Sequence, residues 1–484
     1  MTDIVLSTLN AKYAHPALGL RYLLANLGPL QSRARLLEFD IKADPALVTD
    51  AILAEHPRLV GLGVHIWNAV PLIEIAAQLK RRQPDLVLIL GGPEMMSESP
   101  GPEIDGRADY IIAGEADLAF RDLCGEILEG RPPAGRVFHP APVDVERLIL
   151  PYDLYSDEDL SHRITHVESS RGCPYHCDYC LSAGDAPVRF FPLSALQEAL
   201  DRLLNRGART FKFVDRTFNL DIGRCLILLT FFLERARPGL FVHFEMVPGR
   251  FPPKLREVLA RFPAGALQLE IGIQTFNPEV AARIHRPLNL RTVEDNLTFL
   301  RQRTAVRLHT DLIAGLPGET LESFAAGFDR LVRLDPHKIQ VGILKRLRGS
   351  AIARHDGAWK MRYSARPPYE VLSTSVLDED TLQGLQRFAR YWELVVNRGR
   401  FPETAPLLWR GRASPFAAFH AFSEWLHLRF GRAHALPLSD LALALAEYPA
   451  LRASVPAAVL RESLRRDYIG PGRPNLPGAL NEQA

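Results

Sequence analysis

The sequence has few cysteines, no long apolar run and no excess of one charge. Its 5 cysteines in 484 residues are too few for the disulfide framework of a secreted domain. No stretch reaches the roughly 20 apolar residues that a transmembrane helix requires. The first strand-like segment, "DIVLSTLN", lacks the basic flank and apolar core of a signal peptide. These absences predict a cytoplasmic protein with no membrane partner.

The charge balance is nearly neutral. Charged residues make up 24% of the chain and the formal net charge is +2, so the overall electrostatics do not call for a polyanion. We therefore do not expect a nucleic-acid partner. With 484 residues and 47% hydrophobic content, the chain is long enough for roughly two to four domains.

Residues 1–135 alternate short apolar runs with amphipathic segments. The runs include "DIVLSTL", "LVGLGVHI" and "LVLILGG", and the intervening segment "VPLIEIAAQLKRRQ" has helical periodicity. This alternation predicts a Rossmann-like domain of about five parallel strands with helices on both faces. Ligands of such sheets bind outside the carboxyl ends of the strands, so the loops there should share one rim.

The rest of the chain shows two further patterns. A proline-rich stretch, residues 136–160, predicts a linker. Strand-and-helix repeats return over residues 161–350, and about six of them suit a partial (β/α)6 barrel better than a complete eight-unit barrel. Residues 351–484 carry long, arginine-rich helical patterns, which predict a mostly helical C-terminal domain of unknown function. The predicted fold class is therefore α/β with three domains.

Three of the cysteines, Cys173, Cys177 and Cys180, stand as C-x3-C-x2-C in "SSRGCPYHCDYCLSAG". Closely spaced thiolates are typical ligands of iron–sulfur clusters, and three of them can hold three irons of a [4Fe–4S] cube while the fourth iron stays open. The alternative is a structural zinc ion with His176 as its fourth ligand. That arrangement is disfavoured because His176 directly adjoins Cys177 and would wrap around the same ion awkwardly.

This cysteine spacing, with Tyr179 just before the last cysteine, resembles the radical S-adenosylmethionine (SAM) superfamily. The resemblance implies that the open iron binds SAM and that an electron from the cluster cleaves it to a 5′-deoxyadenosyl radical. The three cysteines would then be both metal ligands and catalytic residues. Further stretches, "FKFVDRTFN", "HFEMVPG", "LEIGIQTFN" and "DLIAGLPGET", match strand ends of the family in order. The residues that these matches imply as SAM ligands are Phe213, Val214, Asp215, Glu245, Glu270 and Gln274.

The carboxylates among these candidates also have structural interpretations. Asp215 and Glu245 could be helix caps or partners of arginines. Glu270 and Gln274 alternate on one predicted strand, so both can face the interior of a barrel, where a polar group without a ligand would be costly.

A Rossmann-like domain ahead of such a barrel resembles the cobalamin-binding class of this superfamily, whose members are often methyltransferases. The segments "LGGPE" and "AGEAD" resemble the loops that this class places around the corrinoid, since glycine lets a flat macrocycle approach the backbone. The resemblance implies a cobalamin-binding rim that contains Asn10, Tyr13, His15, His65, Gly91, Gly92, Pro93, Gly114 and Glu115. A phosphate-binding or empty Rossmann-like domain would carry similar loops and is the alternative.

One departure from the wider cobalamin pattern concerns the cobalt ligand. The D-x-H-x-x-G segment that supplies an imidazole in base-off, His-on domains is absent, so the resemblance implies a corrinoid whose lower face has no protein ligand. His15 is the alternative cobalt ligand. It could otherwise hydrogen-bond the corrin amides or pack within its loop.

The resemblance implies a cobalamin-dependent methyltransferase that acts on an unactivated carbon of a small-molecule or peptide substrate. An electron donor such as flavodoxin or ferredoxin would reduce the cluster. Lys345, Arg346 and Arg348 could bind an anionic substrate or lie in a solvated loop. Two other functions stay open: a rearrangement, cyclisation or oxidation without methyl transfer, and non-catalytic sensing of cobalamin or redox state.

Overall fold

The computed structural model describes residues 2–96, 107–183 and 185–468. The chain divides into two compact units. The first consists of Met1–Gln268, Lys345–Ala353 and Ser364–Tyr369, and the second of Leu269–Leu344, Arg354–Tyr363 and Glu370–Ala484. Within the described ranges, every helix falls short of the length and apolar character that crossing a membrane would require.

The first unit opens with a parallel sheet in the strand order β2-β1-β3-β4-β5-β6. The strands and helices of this part are β1 (Ile4–Asn10), α1 (Leu18–Ala25), β2 (Ala34–Asp40), α2 (Pro45–Ala54), β3 (Leu59–Gly63), α3 (Ala69–Arg82), β4 (Val87–Gly91), β5 (Tyr110–Ile112), α4 (Asp117–Leu128) and β6 (Val137–Phe138). Strand β6 lies in the stretch that the sequence predicts as a linker. The strand was not predicted because two residues are too few to show a periodicity.

Helices cover both faces of this sheet, because alternate residues of each strand point to opposite sides. Val5 and Val60 pack with helices α2 and α3, whereas Ile4 and Leu59 pack with helices α1 and α4. All residues of β1 are buried. The chain leaves β1 toward both sides of the sheet, so the carboxyl ends of β1 and β3 flank the topological switch point where ligands of such folds bind.

The first unit then enters the barrel region. Its further elements are α5 (Asp157–His162), β7 (Thr165–Val167), β8 (Ser170–Cys173), β9 (Asp185–Phe190), α6 (Leu193–Asn205), β10 (Thr210–Phe213), α7 (Ile222–Glu234), β11 (Phe241–Met246) and α8 (Pro253–Ala260). Strands β7, β10 and β11 are parallel neighbours in that order. Strands β8 and β9 form a separate antiparallel pair, which the sequence pattern did not predict.

The barrel pattern continues in the second unit. Strand β12 (Leu267–Gln274) begins in the first unit and ends in the second, and α9 (Pro278–Arg283), α10 (Leu290–Arg303), β13 (Arg307–Ala314), α11 (Leu321–Arg333) and β14 (Lys338–Ile343) follow it. Strands β13 and β14 are parallel. Every second residue of β12 is buried, as expected for a strand with one face under helices. The predicted α/β class with a partial barrel is confirmed.

The remaining described elements of the second unit are mostly helical. They are β15 (Arg362–Tyr363), β16 (Val371–Ser373), α12 (Glu379–Trp392), α13 (Pro415–Phe430), α14 (Leu438–Glu447), α15 (Pro449–Ser454) and α16 (Ala457–Tyr468). Aromatic rings join the two longest helices: Phe388 lies 4.9 Å from Phe416, and Trp392 lies 4.8 Å from Phe419, between ring centroids. The predicted helical character of the C-terminal region is also confirmed.

Candidate functional site

The three clustered cysteines lie on the loop that leaves β8. Cys173 ends this strand, and the backbone N–H of Cys180 donates to the carbonyl of Cys177 at 3.0 Å, which folds the loop back on itself. Gly172 has a φ of +96°, a conformation that side-chain-bearing residues rarely adopt. The glycine therefore lets the chain turn just before the first cysteine.

The three cysteines of this loop form no disulfide bond. Cys173 and Cys177 are buried and Cys180 is half-buried. Burial raises the pKa of the Cys180 thiol, and the Cys177 and Cys173 thiols raise it further. His176, by contrast, is exposed. This donor set fits a three-cysteine cluster site better than a four-ligand zinc site.

Asp215, at the end of β10, holds the segment that leads to this loop. Its carboxylate accepts hydrogen bonds from the backbone N–H of Ser169 at 2.9 Å and from the hydroxyls of Ser169 and Ser170, both at 2.6 Å. Burial raises the pKa of Asp215, and the two serines oppose that effect. The side chain of Phe213 is fully buried and stacks near Phe244 at 4.5 Å. A ligand at this strand end would therefore meet the main chain, Val214 included, rather than these two side chains.

Glu245 ends the next strand. Its carboxylate lies 3.8 Å from the ammonium group of Lys212 on β10, and its carbonyl accepts the backbone N–H of Phe218 at 2.9 Å. The side chains of Lys212 and Glu245 are half-buried, whereas those of the adjacent residues Phe213 and Phe244 are fully buried. Both charges thus lie on the face of the strands that the helices leave uncovered.

In the second unit, Glu270 lies in a cluster of polar side chains with His309 and Asp311. The sequence analysis predicted Glu270 as a site residue but not the other two. The Glu270 carboxylate lies 3.7 Å from Nδ1 of His309, and Nε2 of His309 lies 3.3 Å from the carboxylate of Asp311. Burial raises the pKa of Asp311, His309 lowers it and Glu270 raises it. The alternating polar letters of "RLHTDLIA" on β13 were the available signal. These residues face the same side as Glu270, away from the helices.

Gln274, at the end of β12, has a φ of +72°, so its backbone turns sharply there. A methyl group on Gly272 would lie 2.2 Å from Nε2 of Gln274, and the guanidinium of Arg286 donates to the Gly272 carbonyl at 2.6 Å. Gly272 is required for this packing. The strained backbone of Gln274 is consistent with a ligand-binding position.

Glu319, in the loop after β13, is a buried acid that the sequence analysis did not single out. It is 2% exposed, and it accepts a hydrogen bond from the hydroxyl of Thr275 at the end of β12. Burial raises its pKa from 4.5 to about 7. The "GLPGE" loop is therefore held to the end of β12 by a carboxyl group that is largely protonated below neutral pH.

This burial predicts a pH-dependent stability. Between pH 4.5 and about 7 the folded chain binds more protons at Glu319 than the unfolded chain does. The free energy of unfolding should therefore fall as the pH rises through that window, by about 3 kcal/mol in total. Glu319→Gln, which mimics the protonated acid, should remove this fall, so the variant should exceed the wild type in stability at pH 8. Urea unfolding at several pH values measures it, with exposed Glu322→Gln as the control. Identical pH slopes in the wild type and Glu319→Gln would contradict the assignment.

The rim of the N-terminal sheet contains uncovered apolar side chains. Tyr13, Trp67 and Met96 are 53%, 47% and 45% exposed, and they follow β1, β3 and β4. All three follow strands at the end of the sheet where ligands of such folds bind, which favours a binding surface there. The main chain is tightly packed at Gly92, where φ is +105° and a methyl group would lie 2.5 Å from the Val64 carbonyl oxygen.

Asn68 holds the rim loops in place. It is fully buried, its amide donates to the carbonyls of Leu9 and Gly63 at 3.0 and 3.1 Å, and it accepts the backbone N–H of His65 at 2.7 Å. Asn10 in turn donates to Glu38 at 2.9 Å. The side chains of Asn10 and Asn68 are thus used to shape the loops.

The two rim histidines have different surroundings. Nδ1 of His15 lies 3.2 Å from Nε2 of His166 on β7, and burial, with Lys212 nearby, lowers the pKa of both. His65 packs 4.4 Å from the ring of Trp67, and burial lowers its pKa to about 4. These imidazoles are therefore neutral at physiological pH.

The loop after β5 is tied to the strand pair that carries the first cysteine. The carboxylate of Glu115 accepts two hydrogen bonds from the guanidinium of Arg189 on β9, at 2.6 and 2.7 Å, and the backbone N–H of Val143 at 2.8 Å. Gly114 has a φ of +139° and its Cα packs near Pro140. The Glu115 carboxylate is thus used in hydrogen bonds within the protein. A methyl group on Gly91 would meet only the Ile112 carbonyl oxygen, at 3.7 Å.

Comparison with known proteins supports the cluster assignment. Residues 167–331 match the model of the radical SAM superfamily. The chain contains a radical SAM domain. Residues 357–483, which begin after that domain, match a family described as a protein of unknown function, DUF4080.

The relatives that this chain resembles include cobalamin-dependent enzymes. The chain is 25% identical over 330 residues to the cobalamin-dependent radical SAM methyltransferase TokK of Streptomyces tokunonensis, which covers 60% of this chain and 47% of TokK. The chain thus spans about half the length of the curated relatives that it matches first.

Solved structures show the same fold. The radical SAM methyltransferase TsrM of Kitasatospora setae, with cobalamin and a [4Fe–4S] cluster bound, aligns with a TM-score of 0.60 at 19% identity, over 76% of this chain and 78% of TsrM. The cobalamin-dependent SAM radical enzyme OxsB, with aqua-cobalamin bound, aligns with a TM-score of 0.64 at 13% identity, over 97% of this chain and 84% of OxsB. The resemblance to cobalamin-type radical SAM proteins is confirmed at the level of fold.

Proposed function

We propose that this chain is a cobalamin-dependent radical SAM enzyme that methylates an unactivated carbon. The observation that carries the proposal is the C-x3-C-x2-C loop with two buried thiols and a half-buried third, Cys180, within the radical SAM domain. Three thiolates with an exposed histidine beside them leave one iron of a [4Fe–4S] cluster for SAM.

Three groups of residues have separate roles in this proposal: cluster ligands, SAM-binding strand ends and a residue that positions the cysteine loop. Cys173, Cys177 and Cys180 would hold the cluster, and the ends of β10 and β11 would contribute to holding SAM. The cluster and cobalamin supply the one-electron and methyl-carrier chemistry. Asp215 fixes the segment before the cysteine loop through Ser169 and Ser170. Its role in this proposal is to position the loop.

The N-terminal rim fits a corrinoid. A corrinoid is flat and largely apolar on its faces, and the exposed rings of Tyr13 and Trp67, with Met96, offer an apolar surface of matching character. Gly91 and Gly92 bring main chain rather than side chain to that rim. The bond between His15 and His166 favours a corrinoid without a ligand from His15, because one of its ring nitrogens is already used.

The substrate would be a small molecule or a peptide, and a flavodoxin- or ferredoxin-type protein would deliver electrons. A small molecule is supported by TsrM, which has been solved with tryptophan substrate and a SAM analogue bound. A second candidate function keeps both cofactors but transfers no methyl group. It is favoured by OxsB, which is described as a radical enzyme rather than as a methyltransferase and aligns over 97% of this chain.

The test is anaerobic reconstitution of the full chain with iron, sulfide and hydroxocobalamin, followed by reduction in the presence of SAM. We expect the visible absorbance of an iron–sulfur cluster, one retained corrinoid and release of 5′-deoxyadenosine. SAM carrying a deuterated methyl group separates the two candidates, because label appears on methylcobalamin and product only if a methyl group is transferred. A reduced, cluster-loaded chain that neither retains corrinoid nor cleaves SAM would refute the proposal.

A further inference from the structure

The first unit contains two short segments from far along the chain. Lys345–Ala353 and Ser364–Tyr369 both belong to it, although the residues between and after them belong to the second unit. The backbone N–H of Arg346 donates to the carbonyl of Tyr369 at 3.0 Å, which joins the two segments. We call this pair of segments the strap.

The strap contacts the loop after β4 through a buried acid. Glu94, two residues beyond Gly92, is only 3% exposed. The hydroxyl of Tyr369 donates to its carboxylate at 3.1 Å. Nε of Arg348 lies 3.6 Å from the same oxygen and donates to the Tyr369 hydroxyl at 3.1 Å. One carboxylate therefore engages both strap segments, over 275 residues of sequence in the case of Tyr369.

A second contact joins the same loop to the strap. A methyl group built on Gly349 would lie 3.7 Å from Cβ and from the carbonyl oxygen of Met96, so the strap backbone runs in van der Waals range of the exposed end of the loop. Tyr369 itself has a φ of +56°, a conformation that costs free energy for a residue with a side chain. The hydrogen bond to Glu94 is made in spite of that cost.

The position of these contacts suggests their purpose. A purely structural connection would cost less free energy if it were apolar, because a buried carboxylate needs hydrogen bonds or an ion pair to offset the loss of its hydration. Here the polar contact lies at the carboxyl end of β4, directly after the Gly91-Gly92-Pro93 segment and beside the exposed Met96. A polar connection can open and close where an apolar one would stay packed, and this one adjoins the rim where a ligand must enter and be kept.

We propose that the strap is a retaining wall of the cobalamin site and that Glu94, Arg348 and Tyr369 are the positioning residues that hold it against the rim. The proposal rests on the cobalamin-dependent function given above. It assigns a role to a segment outside both the N-terminal sheet and the matched radical SAM residues 167–331.

The experiment compares Glu94→Gln, Tyr369→Phe and the double variant with the wild type as full chains loaded with hydroxocobalamin. Dissociation of the corrinoid is followed by chase with an apo-acceptor protein, and hydrogen exchange is measured in peptides that cover the strap. We expect each single variant to release hydroxocobalamin about tenfold faster, because Tyr369→Phe removes the buried hydrogen bond and Glu94→Gln removes the charge that strengthens it, with faster exchange in both strap segments. The double variant should add little, because both changes break one contact.

Matched controls lie in the same domain. Tyr110→Phe removes a half-buried hydroxyl that lies 3.4 Å from the Pro133 carbonyl, and Glu74→Gln neutralises an exposed acid on α3 that accepts from Gln78. Neither should change the release rate. Faster exchange in the strap with unchanged hydroxocobalamin release would overturn the proposal and leave the contact a structural one. A wild type that never retains hydroxocobalamin would instead refute the proposed function, and the inference with it.

Discussion

Replacing Cys177 with alanine is expected to abolish the iron–sulfur cluster and, with it, cleavage of SAM. Cys177 is buried on the loop that also carries Cys173 and Cys180, and no other cysteine can take its place because Cys124 and Cys225 are buried within helices α4 and α7. Release of 5′-deoxyadenosine should fall about a thousandfold or more, as when one member of a catalytic unit is removed. The iron content and visible absorbance of the reconstituted protein give the measurement.

The control is Cys124→Ala, which removes a buried thiol of the N-terminal domain without touching the loop. It should keep full cluster content and lose only the stability that a small core cavity costs, about 1 kcal/mol. His176→Ala adds a second comparison. If His176→Ala lost metal as completely as Cys177→Ala and the bound metal proved to be zinc, the site would be the four-ligand zinc site instead.

The parallel strands could be read from the sequence because they are short apolar runs that repeat with helices of regular period. "DIVLSTL" and "LVGLGVHI" became β1 and β3, and "ALQLEIGIQ" became β12. The exceptions are short: β6 has two residues, and β8 holds "SRGC", which contains no apolar alternation at all. Such strands form because adjacent strands offer them hydrogen-bond partners, and the local sequence pattern does not show which partners those are.

The cluster cysteines could be found because their spacing alone defines a metal site. The role of Glu94 could not, although it ends the "LGGPE" segment, since its partners Tyr369 and Arg348 lie more than 250 residues away. His309 and Asp311 were missed for a related reason. Alternating polar residues on a strand usually mark a solvent-facing side, whereas in a barrel-like sheet that side faces the interior.

For the predicted ligands, the sequence could name positions but not which atoms remain available. Asp215 and Glu115 stand at strand ends, as predicted, but their carboxylates already accept several protein hydrogen bonds. A carboxylate with that many donors orders the loops around a site. Whether it also meets a cofactor depends on groups contributed by residues far away in the chain, so the ligand assignments for Phe213, Asp215 and Glu115 stay predictions.

Arg171→Met should lower the free energy of unfolding more than any other substitution proposed above. Arg171, on β8, is 13% exposed, and its guanidinium lies 2.7 Å from Asp117 of the N-terminal domain and 2.9 Å from Glu168. It also lies 4.7 Å above the ring of Tyr22 on α1. Among the described residues, Arg171 is the one cation paired with both buried acids, so its removal would leave Asp117 and Glu168 without that compensating charge. Breaking a buried ion pair from one side costs about 3–5 kcal/mol, which is a large part of the stability of a typical domain.

Urea unfolding of the full chain checks this expectation. Arg202→Met is the matched control, because Arg202 makes a comparable contact of 3.2 Å with Asp153 in which both side chains are more than half exposed, and such surface pairs contribute at most about 1 kcal/mol. Adding Asp117→Asn to Arg171→Met should restore part of the loss, since it removes one of the two stranded charges. Because Arg171 stands two residues before Cys173, the variant should also load less iron. A variant with normal unfolding but poor iron loading would move Arg171 from the structural connection between the domains to the cluster site itself.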